Sequence, residues 1–275
     1  MTKETQLKDI GAHDVRAAAD GDAAALEALV RALRRPAYAL ALRMTGHHDD
    51  AQDASQEAIL RVVTRLSTFR SASKFSTWAW TVMTRSVIDG LRKSNVEVLS
   101  FDDFAQDLER SADLSAEPTA EDRVLLRQVK IGCARALLGC LDLDARAAYV
   151  LGEILEVDAP TCAHALEISP ATFRKRLSRA RSSLQTALRR QCGVVEPSAS
   201  CRCAKRIAPA KALGRLDARD KAPGDESVAQ LGELISKLDV LSRAAAYYHA
   251  DPRSPGAFDL VERVLDLCAT ADVQA

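Results

Sequence analysis

The sequence has few aromatic residues and no long apolar run. Only 4% of its 275 residues are Phe, Trp or Tyr, and runs that alternate Val, Ile and Thr with polar residues, the pattern of half-buried strands, are scarce. No uninterrupted apolar stretch reaches the roughly 18 residues that a membrane helix needs, so we expect no membrane insertion. Alanine, leucine and arginine dominate instead. These features predict an all-α fold.

A hydrophobic signal segment is also missing. Residues 1–22 mix charged and apolar side chains, which predicts a cytoplasmic protein. The seven cysteines are scattered and odd in number. That pattern favours free thiols in a reducing compartment over a disulfide framework.

Charge is balanced overall but unevenly distributed. The chain carries 38 basic and 38 acidic residues, so as a whole it has no net attraction for a polyanion. Residues 96–126 nevertheless hold nine acidic side chains against two basic ones, include Pro118 and show poor helical period. We interpret this segment as an acidic linker between two helical domains, 20–95 and 127–190, with residues 191–275 as a helical C-terminal extension.

The second domain contains a helix-turn-helix pattern. Asp158 is placed to cap a short helix, and Ser169 to cap the next one, with Pro170 at its first position. Glu167 falls where the turn requires a left-handed residue, usually glycine, so we expect a cost there. The helix that follows is basic, and no acidic residue occurs between Glu167 and Glu196.

The basic helix is a candidate for duplex DNA recognition. Arg174, Lys175 and Arg176 fall in its first turn and a half, the part that enters a major groove, and Arg179 and Arg181 are placed to meet phosphates. Phe173 and its helical neighbours form the inward face. The alternative is a merely solvated charged helix, which would need neither a capped partner helix nor a tight turn.

A second group of residues, 69–80, interleaves aromatic rings with cations. It contains both tryptophans, together with Arg70 and Lys74. Such a pattern suits single-stranded nucleic acid, because bases stack on rings while cations hold phosphates. Phe75 and Trp78 are spaced as core residues of their own helix, so Trp80, on another face, is the better candidate for contact with bases.

A third group is acidic and amide-rich. Asp53, Gln56 and Glu57 lie within about one helical turn of one another. They either bias the charge at a helix N-terminus or dock a basic partner surface.

The C-terminal extension contributes clustered cysteines and an apolar stripe. Cys192, Cys201 and Cys203 follow a C-x8-C-x-C spacing that could bind zinc or another soft metal, with Cys268 as a fourth ligand. An incidental cluster is the alternative. Further on, we predict helices over 228–249 and 255–268, whose apolar stripe must bury against this chain or a partner.

The three groups together resemble bacterial extracytoplasmic-function sigma factors, members of the sigma-70 family. The resemblance covers region 2 at residues 20–93 and region 4 at 127–190. It is carried by three ordered segments, DDAQDASQEAILRV at 49–62, FRSASKFSTWAWTVMTRSVIDGLRK at 69–93 and EISPATFRKRLSRARSSLQ at 167–185.

The resemblance implies roles for individual residues. The residues implied to contact core RNA polymerase are Asp53, Gln56 and Glu57. Those implied to help open the −10 promoter element are Arg70, Lys74, Phe75, Trp78, Trp80 and Arg85. Those implied to read the −35 element are Thr172, Arg174, Lys175, Arg176 and Arg179. The acidic linker would thread through polymerase and mimic nucleic-acid charge.

A sigma factor is not an enzyme, because polymerase performs the chemistry, and the sequence has no Gly-rich phosphate loop. Tails on related proteins act as regulators in cis, which we expect of residues 191–275; an anti-sigma protein is a further expected partner. The alternative function is a stand-alone helix-turn-helix regulator with a ligand-sensing or metal-sensing domain. Residues 49–93 discriminate against it, since a simple repressor does not need them.

Overall fold

The computed structural model describes residue 7 and residues 9–94, 98–109 and 122–216. Within these residues every regular element is helical, and extended pairing is confined to an isolated bridge between Cys192 and Cys201. The all-α prediction is confirmed. No helix in the described ranges combines the length and hydropathy needed to cross a bilayer.

Ten α-helices can be followed in the described residues. They are α1 (Ala12–Ala19), α2 (Ala23–Thr45), α3 (His48–Thr64), α4 (Phe75–Lys93), α5 (Phe101–Glu109), α6 (Asp122–Gly139), α7 (Leu143–Tyr149), α8 (Ala159–Ala165), α9 (Pro170–Gln191) and α10 (Ile207–Ala212). Short 3-10 turns occupy Leu66–Thr68 and Cys203–Arg206, and a π-helical turn, Val150–Ile154, continues α7.

The helices separate into two compact units. The first comprises Met1–Glu97 with Asp142–Ala180, and the second comprises Val98–Leu141 with Arg181–Ala275. Helix α9 contributes its first half to one unit and its second half to the other.

The core of the first unit lies where α2, α3 and α4 pack against one another. Leu33 and Leu40 of α2 are fully buried, as are Val62 of α3 and Met83 of α4. Helix α2 ends at Gly46, whose φ of 78° is the left-handed geometry that terminates helices. Deeply buried aliphatic side chains of this kind contribute roughly 1.5–3 kcal/mol each to folding.

The acidic pair at the start of α3 predicts that Asp49 or Asp50 caps the helix, and that prediction is wrong. The helix begins at His48, and its N-cap His47 makes no side-chain capping bond. Asp49 and Asp50 lie inside the first turn. They stabilise the helix through its dipole, not by accepting a capping hydrogen bond.

The second unit contains a helix inside the segment interpreted as a linker. Helix α5 buries Phe104 and Leu108, four residues apart on one face. Val129 of α6 packs with Ile207 and Ala210 of α10 in a separate apolar cluster. The acidic segment therefore has an ordered, amphipathic part, although its assignment as an interdomain linker remains a prediction.

The predicted domain boundaries at 95, 126 and 190 also remain predictions. The tail helices expected over 228–249 and 255–268, and Cys268 with them, lie outside the described residues.

Candidate nucleic-acid interface

A tight turn joins α8 to α9. Asp158 caps α8, its Oδ1 accepting from the Thr161 amide at 3.0 Å. At the other end the Ile168 amide donates to the Ala163 carbonyl at 3.0 Å, and the Glu167 amide donates to His164 at 3.1 Å. This pair of bonds defines a Schellman motif. Its left-handed residue is Glu167, with φ of 53°, so the predicted strain, roughly 1–2 kcal/mol, is present.

Helix α9 begins as the sequence predicts. The Ser169 hydroxyl accepts from the Thr172 amide at 3.1 Å, and Pro170 is the first helical residue. The Thr172 hydroxyl lies 2.8 Å from that of Ser169. Thr172 is exposed, and its hydroxyl is engaged locally at the cap.

One face of α9 is buried and the other carries the cations. Phe173 is 2% exposed and Leu177 is 8% exposed, which confirms the inward face. Arg174, Lys175 and Arg179 are all exposed. Three of the five residues predicted to read DNA thus present their charges to solvent, where a groove can meet them.

Close packing under α9 depends on a glycine. A Cβ on Gly152, in the π-helical turn, would lie 2.9 Å from Phe173 Cζ and 3.1 Å from Leu177 Cδ2. Any larger residue must displace the inward face of α9. Periodicity in the sequence gave no sign of this contact.

Arg176 differs from its neighbours on α9. It is half-buried, and its Nη2 lies 3.4 Å from Asp144 Oδ2. The same carboxylate receives Arg92 of α4 at 3.2 Å. A partly exposed pair of this kind contributes roughly 0–1 kcal/mol, so it orients Arg176 without holding it strongly.

The rings of the aromatic group pack on one another. Phe69 lies 5.6 Å from Phe75 and 5.5 Å from Trp78, measured between ring centroids. Phe75 is buried, and Trp78 is half-buried. The buried ring of Phe75 is therefore part of the same cluster of aromatic rings as the half-buried ring of Trp78.

The preference for Trp80 over Trp78 as a base-contacting ring is wrong for this conformation. Trp80 is only 3% exposed, while Trp78 retains accessible surface. Helix α4 packs against α2, α3 and α8, so burial extends around more of its circumference than a one-sided amphipathic helix would show.

The loop before α4 presents cations. Arg70 and Lys74 are exposed, and Ser71 between them has φ of 55°. Lys74 is the N-cap of α4 but supplies no side-chain acceptor. The acceptor comes from far away in sequence, because the Ser76 amide donates to Asp9 Oδ1 at 3.3 Å. No sequence signal pointed to this contact.

Arg85 forms an ion pair with Glu167 of the turn before α9. Both side chains are partly exposed. A cation predicted for the −10 element is therefore held by the helix-turn-helix in this structure.

The predicted acidic patch on α3 is exposed. Asp53, Gln56 and Glu57 face solvent on one side of the helix, and Glu57 accepts from Arg61 Nε at 2.8 Å. Leu60 lies one turn further on and is 56% exposed. We call Asp53, Gln56, Glu57 and Leu60 the α3 patch. Leu60 is not among the residues predicted from the sequence to contact a partner. Its spacing of three and four residues from Glu57 and Gln56 places it on the same face of the helix and is the signal that would predict it.

The three clustered cysteines, Cys192, Cys201 and Cys203, lie in the second unit and line one cavity there, together with Cys133 of α6. They are free thiols.

Parts of this chain are similar to known proteins. The family model Sigma-70 region 2 matches residues 29–96. The ECF RNA polymerase sigma factor SigW of Bacillus subtilis is 28% identical over 172 residues, 62% of this chain and 91% of the relative. The probable RNA polymerase sigma factor RfaY of Xanthomonas campestris is 28% identical over 176 residues, 64% of this chain but only 43% of that relative.

A solved structure, the sigma factor RpoE with the anti-sigma factor NepR from Bartonella quintana, shares 18% identity at a TM-score of 0.42 over 60% of this chain and 96% of its own. A likeness this loose carries no weight for function. The region 2 match and the sequence relatives carry the comparison instead: residues 29–96 match sigma-70 region 2, and the chain is similar to extracytoplasmic-function RNA polymerase sigma factors.

Proposed function

We propose that this protein binds core RNA polymerase, directs it to a defined set of promoters and helps to melt the −10 element. The observation that carries the proposal is the combination of two features in one chain. Residues 29–96 match sigma-70 region 2, and α9 presents three exposed cations as the second helix of a helix-turn-helix.

Helix α9 is the −35 reading element. Arg174 and Lys175 lie in its first turns, where a recognition helix reaches base edges, and Arg179 lies further along, where phosphates pass. Arg176 reads DNA only after leaving Asp144, 3.4 Å away. The fixed inward face keeps these side chains in register with the groove.

The loop before α4 receives the separated strand of the −10 element. Arg70 and Lys74 are placed to hold phosphates, and the accessible ring of Trp78 offers a stacking surface worth roughly 1–3 kcal/mol per base. Phe75 supports that ring from below. Trp80 stabilises the packing of α4 against its neighbours. It can contact a base only if that packing is broken.

The α3 patch docks polymerase. An exposed leucine next to Asp53, Gln56 and Glu57 combines an apolar anchor with charge, as protein interfaces do. Such a patch matches a basic partner surface, since its acids attract cations while its leucine is removed from water.

Polymerase supplies the catalysis in this scheme, so the protein itself is not an enzyme and acts in the cytoplasm, where the chromosome is transcribed. An anti-sigma partner and a regulatory role in cis for residues 191–275 remain predictions.

Run-off transcription tests the function. Purified chain and core polymerase are combined with fragments of the host genome, and transcripts are mapped to their start sites. We expect a small set of start sites that disappears with the double variant Arg174→Ala, Lys175→Ala, while binding of that variant to core polymerase is unchanged. A stand-alone regulator would instead bind duplex DNA tightly without polymerase and yield no specific transcript, and that result would overturn the proposal.

A further inference from the structure

Four cysteines from three parts of the sequence line one cavity in the second unit. Cys133 comes from α6, Cys192 follows α9, and Cys201 and Cys203 come from the loop before α10. The cavity has a volume of about 340 Å³ and walls that are mainly apolar. We call it the thiol cavity. Nothing in the proposed transcription function uses it.

Backbone hydrogen bonds hold Cys192 beside Cys201. The Gly193 amide donates to the Cys201 carbonyl at 3.0 Å, and the Cys201 amide donates to the Gln191 carbonyl at 3.2 Å. These bonds form the isolated parallel bridge between the two cysteines. The Cys192 carbonyl accepts two further amides, at 3.0 and 2.9 Å. These bonds fix the backbone positions of Cys192 and Cys201 next to each other, while the thiols can still rotate.

The loop closes so tightly that one position must be glycine. A Cβ on Gly193 would lie 1.7 Å from Arg202 Nη1 and 2.6 Å from the Cys201 carbonyl oxygen. Arg202 braces the loop by donating to the carbonyls of Pro197 at 2.8 Å and Cys201 at 3.0 Å. The compact, braced loop thus holds Cys192 and Cys201 at its two ends, next to each other.

Helix packing brings the remaining two thiols to the same place. Cys203 packs against the cluster formed by Val129, Ile207 and Ala210, and α6, which carries Val129, also carries Cys133. Burial raises the pKa of Cys133 well above its ordinary value, and the neighbouring thiolates of Cys203, Cys192 and Cys201 raise it further. The cavity that the four cysteines line brings them into one neighbourhood of the second unit.

Cations stand around the thiol cavity. Arg206 lowers the pKa of Cys133 and Cys201, against the stronger effect of burial, and Lys130 does the same for Cys203. Four thiolates around a divalent ion would carry a net charge of about −2. Lys130 would offset part of this charge, whereas Arg206 also pairs with Asp107 Oδ2 at 2.7 Å.

We propose that Cys133, Cys192, Cys201 and Cys203 form a binding site for a soft divalent metal ion of the zinc type. Four sulfur ligands favour tetrahedral coordination of such an ion. Binding converts four thiols and one ion into a metal tetrathiolate and releases four protons. In the residues described, no three His, Cys, Asp or Glu side chains already converge on one point, so the thiols turn towards the cavity as the ion enters.

The fourth ligand distinguishes this site from the one that the sequence suggested. The sequence placed Cys268 beside the C-x8-C-x-C group, whereas the structure places Cys133, which lies 59 positions before Cys192. Metal binding would thus tie α6 to the loop after α9.

Titration of the reduced full-length chain with Co²⁺ tests the site. We expect one ion per chain, an intense thiolate-to-cobalt charge-transfer band, the visible bands of tetrahedral cobalt, and loss of both on adding one equivalent of Zn²⁺. Absence of the charge-transfer band would overturn the proposal. The assay contains neither polymerase nor DNA, so its outcome is independent of the transcription function.

Serine variants identify the ligands. Cys133→Ser and Cys201→Ser should each weaken Zn²⁺ binding by more than the roughly 10–100-fold typical of losing a residue that supports a ligand. Cys140→Ser is the matched control, because Cys140 directly follows α6 and is buried but does not line the thiol cavity. It should bind Zn²⁺ as the unaltered chain does.

Circular dichroism of each variant shows whether its helices are intact, and binding is compared among variants that keep them. If Cys133→Ser binds Zn²⁺ as tightly as Cys140→Ser, or if Cys268→Ser abolishes binding while Cys133→Ser does not, the four-ligand assignment is wrong.

Discussion

Arg85 of α4 and Glu167, the left-handed residue between α8 and α9, form an ion pair. The pair joins a cation expected at the −10 element to the turn before α9, the helix proposed to read the −35 element. Both side chains are partly exposed, so the energy of the pair is small. Its importance lies in the two elements that it connects, α4 and the turn before α9.

Backbone strain at Glu167 can be separated from its charge. Glu167→Gly and Glu167→Gln both remove the ion pair, but only glycine relieves the left-handed geometry. The relief of roughly 1–2 kcal/mol exceeds the entropic cost of glycine, about 0.4–1 kcal/mol. We expect the glycine variant to unfold at higher denaturant than the glutamine variant, by about 0.5–1 kcal/mol. Equal midpoints would show that the turn is unstrained.

Gly152 should be intolerant of a methyl group. Gly152→Ala places a Cβ against Phe173 and Leu177, and overpacking of this kind costs about 1–3 kcal/mol. We expect lower stability in urea and weaker binding of −35 duplex by the holoenzyme.

Gly90→Ala is the matched control for that substitution. Gly90 also lies within a helix of the first unit, and nothing stands within 4 Å of a Cβ built there. This variant should be more stable by roughly 0.5–1 kcal/mol, since alanine favours a helix over glycine. A loss of stability equal to that of Gly152→Ala would refute the packing explanation.

The two tryptophans should report differently on single-stranded DNA. Trp78→Phe and Trp80→Phe each leave one indole, because the chain has only two. In the isolated Trp80→Phe variant, measured without polymerase so that Trp78 is the one indole in the sample, we expect the fluorescence of Trp78 to change when the non-template −10 strand is added. The corresponding change in the other variant, which keeps Trp80, should be much smaller. The opposite order would restore Trp80 as the base-contacting ring.

The α3 patch should control affinity for core polymerase. Leu60→Ala removes an exposed apolar anchor, so we expect binding to core polymerase to weaken by about 1–2 kcal/mol, with folding stability changed by less than about 0.5 kcal/mol. Leu213→Ala is the control, because Leu213 is 57% exposed but lies in the other unit. If the two substitutions weakened binding to core polymerase equally, α3 would not be part of the interface with polymerase.

Salt dependence should separate base contacts from phosphate contacts on α9. Arg179→Ala should weaken all duplexes alike and reduce the salt slope of binding by about 1. Arg174→Ala should cost about 1–3 kcal/mol on the preferred sequence and much less on a scrambled one. Anisotropy titrations of the holoenzyme at several salt concentrations measure both. If Arg174→Ala weakened binding to the preferred and the scrambled duplex equally, Arg174 would contact the DNA phosphate backbone and not a base.

Local signals in the sequence predicted local structure well. Phe75 and Trp78 lie on one helix, α4, as their spacing predicts, and Ser169 and Pro170 mark the start of α9. Capping residues, proline and helical period act over a few residues, so they can be read directly. The left-handed position of Glu167 follows in the same way, because helix termination imposes that geometry on whichever residue is there.

Contacts between distant residues were not predictable in this way. Trp80 is buried because α4 has neighbours on several sides, which a single periodic pattern cannot reveal. Cys133 joins the other thiols only through the packing of α6, and Gly152 is constrained by side chains that lie on α9. Helix α5 was not predicted, because charged residues dominate the composition of its segment. The spacing of Phe104 and Leu108, which share a face of the helix, was the one signal for it.

The hydrogen bond from the Ser76 amide to Asp9 couples a segment that precedes α1 to the amino end of α4. That end directly follows the loop that carries Arg70 and Lys74, the cations proposed to hold the separated strand. Removing the Asp9 carboxylate would leave this end of α4 without its side-chain acceptor and would alter the position of the loop, although Arg70 and Lys74 themselves would be unchanged.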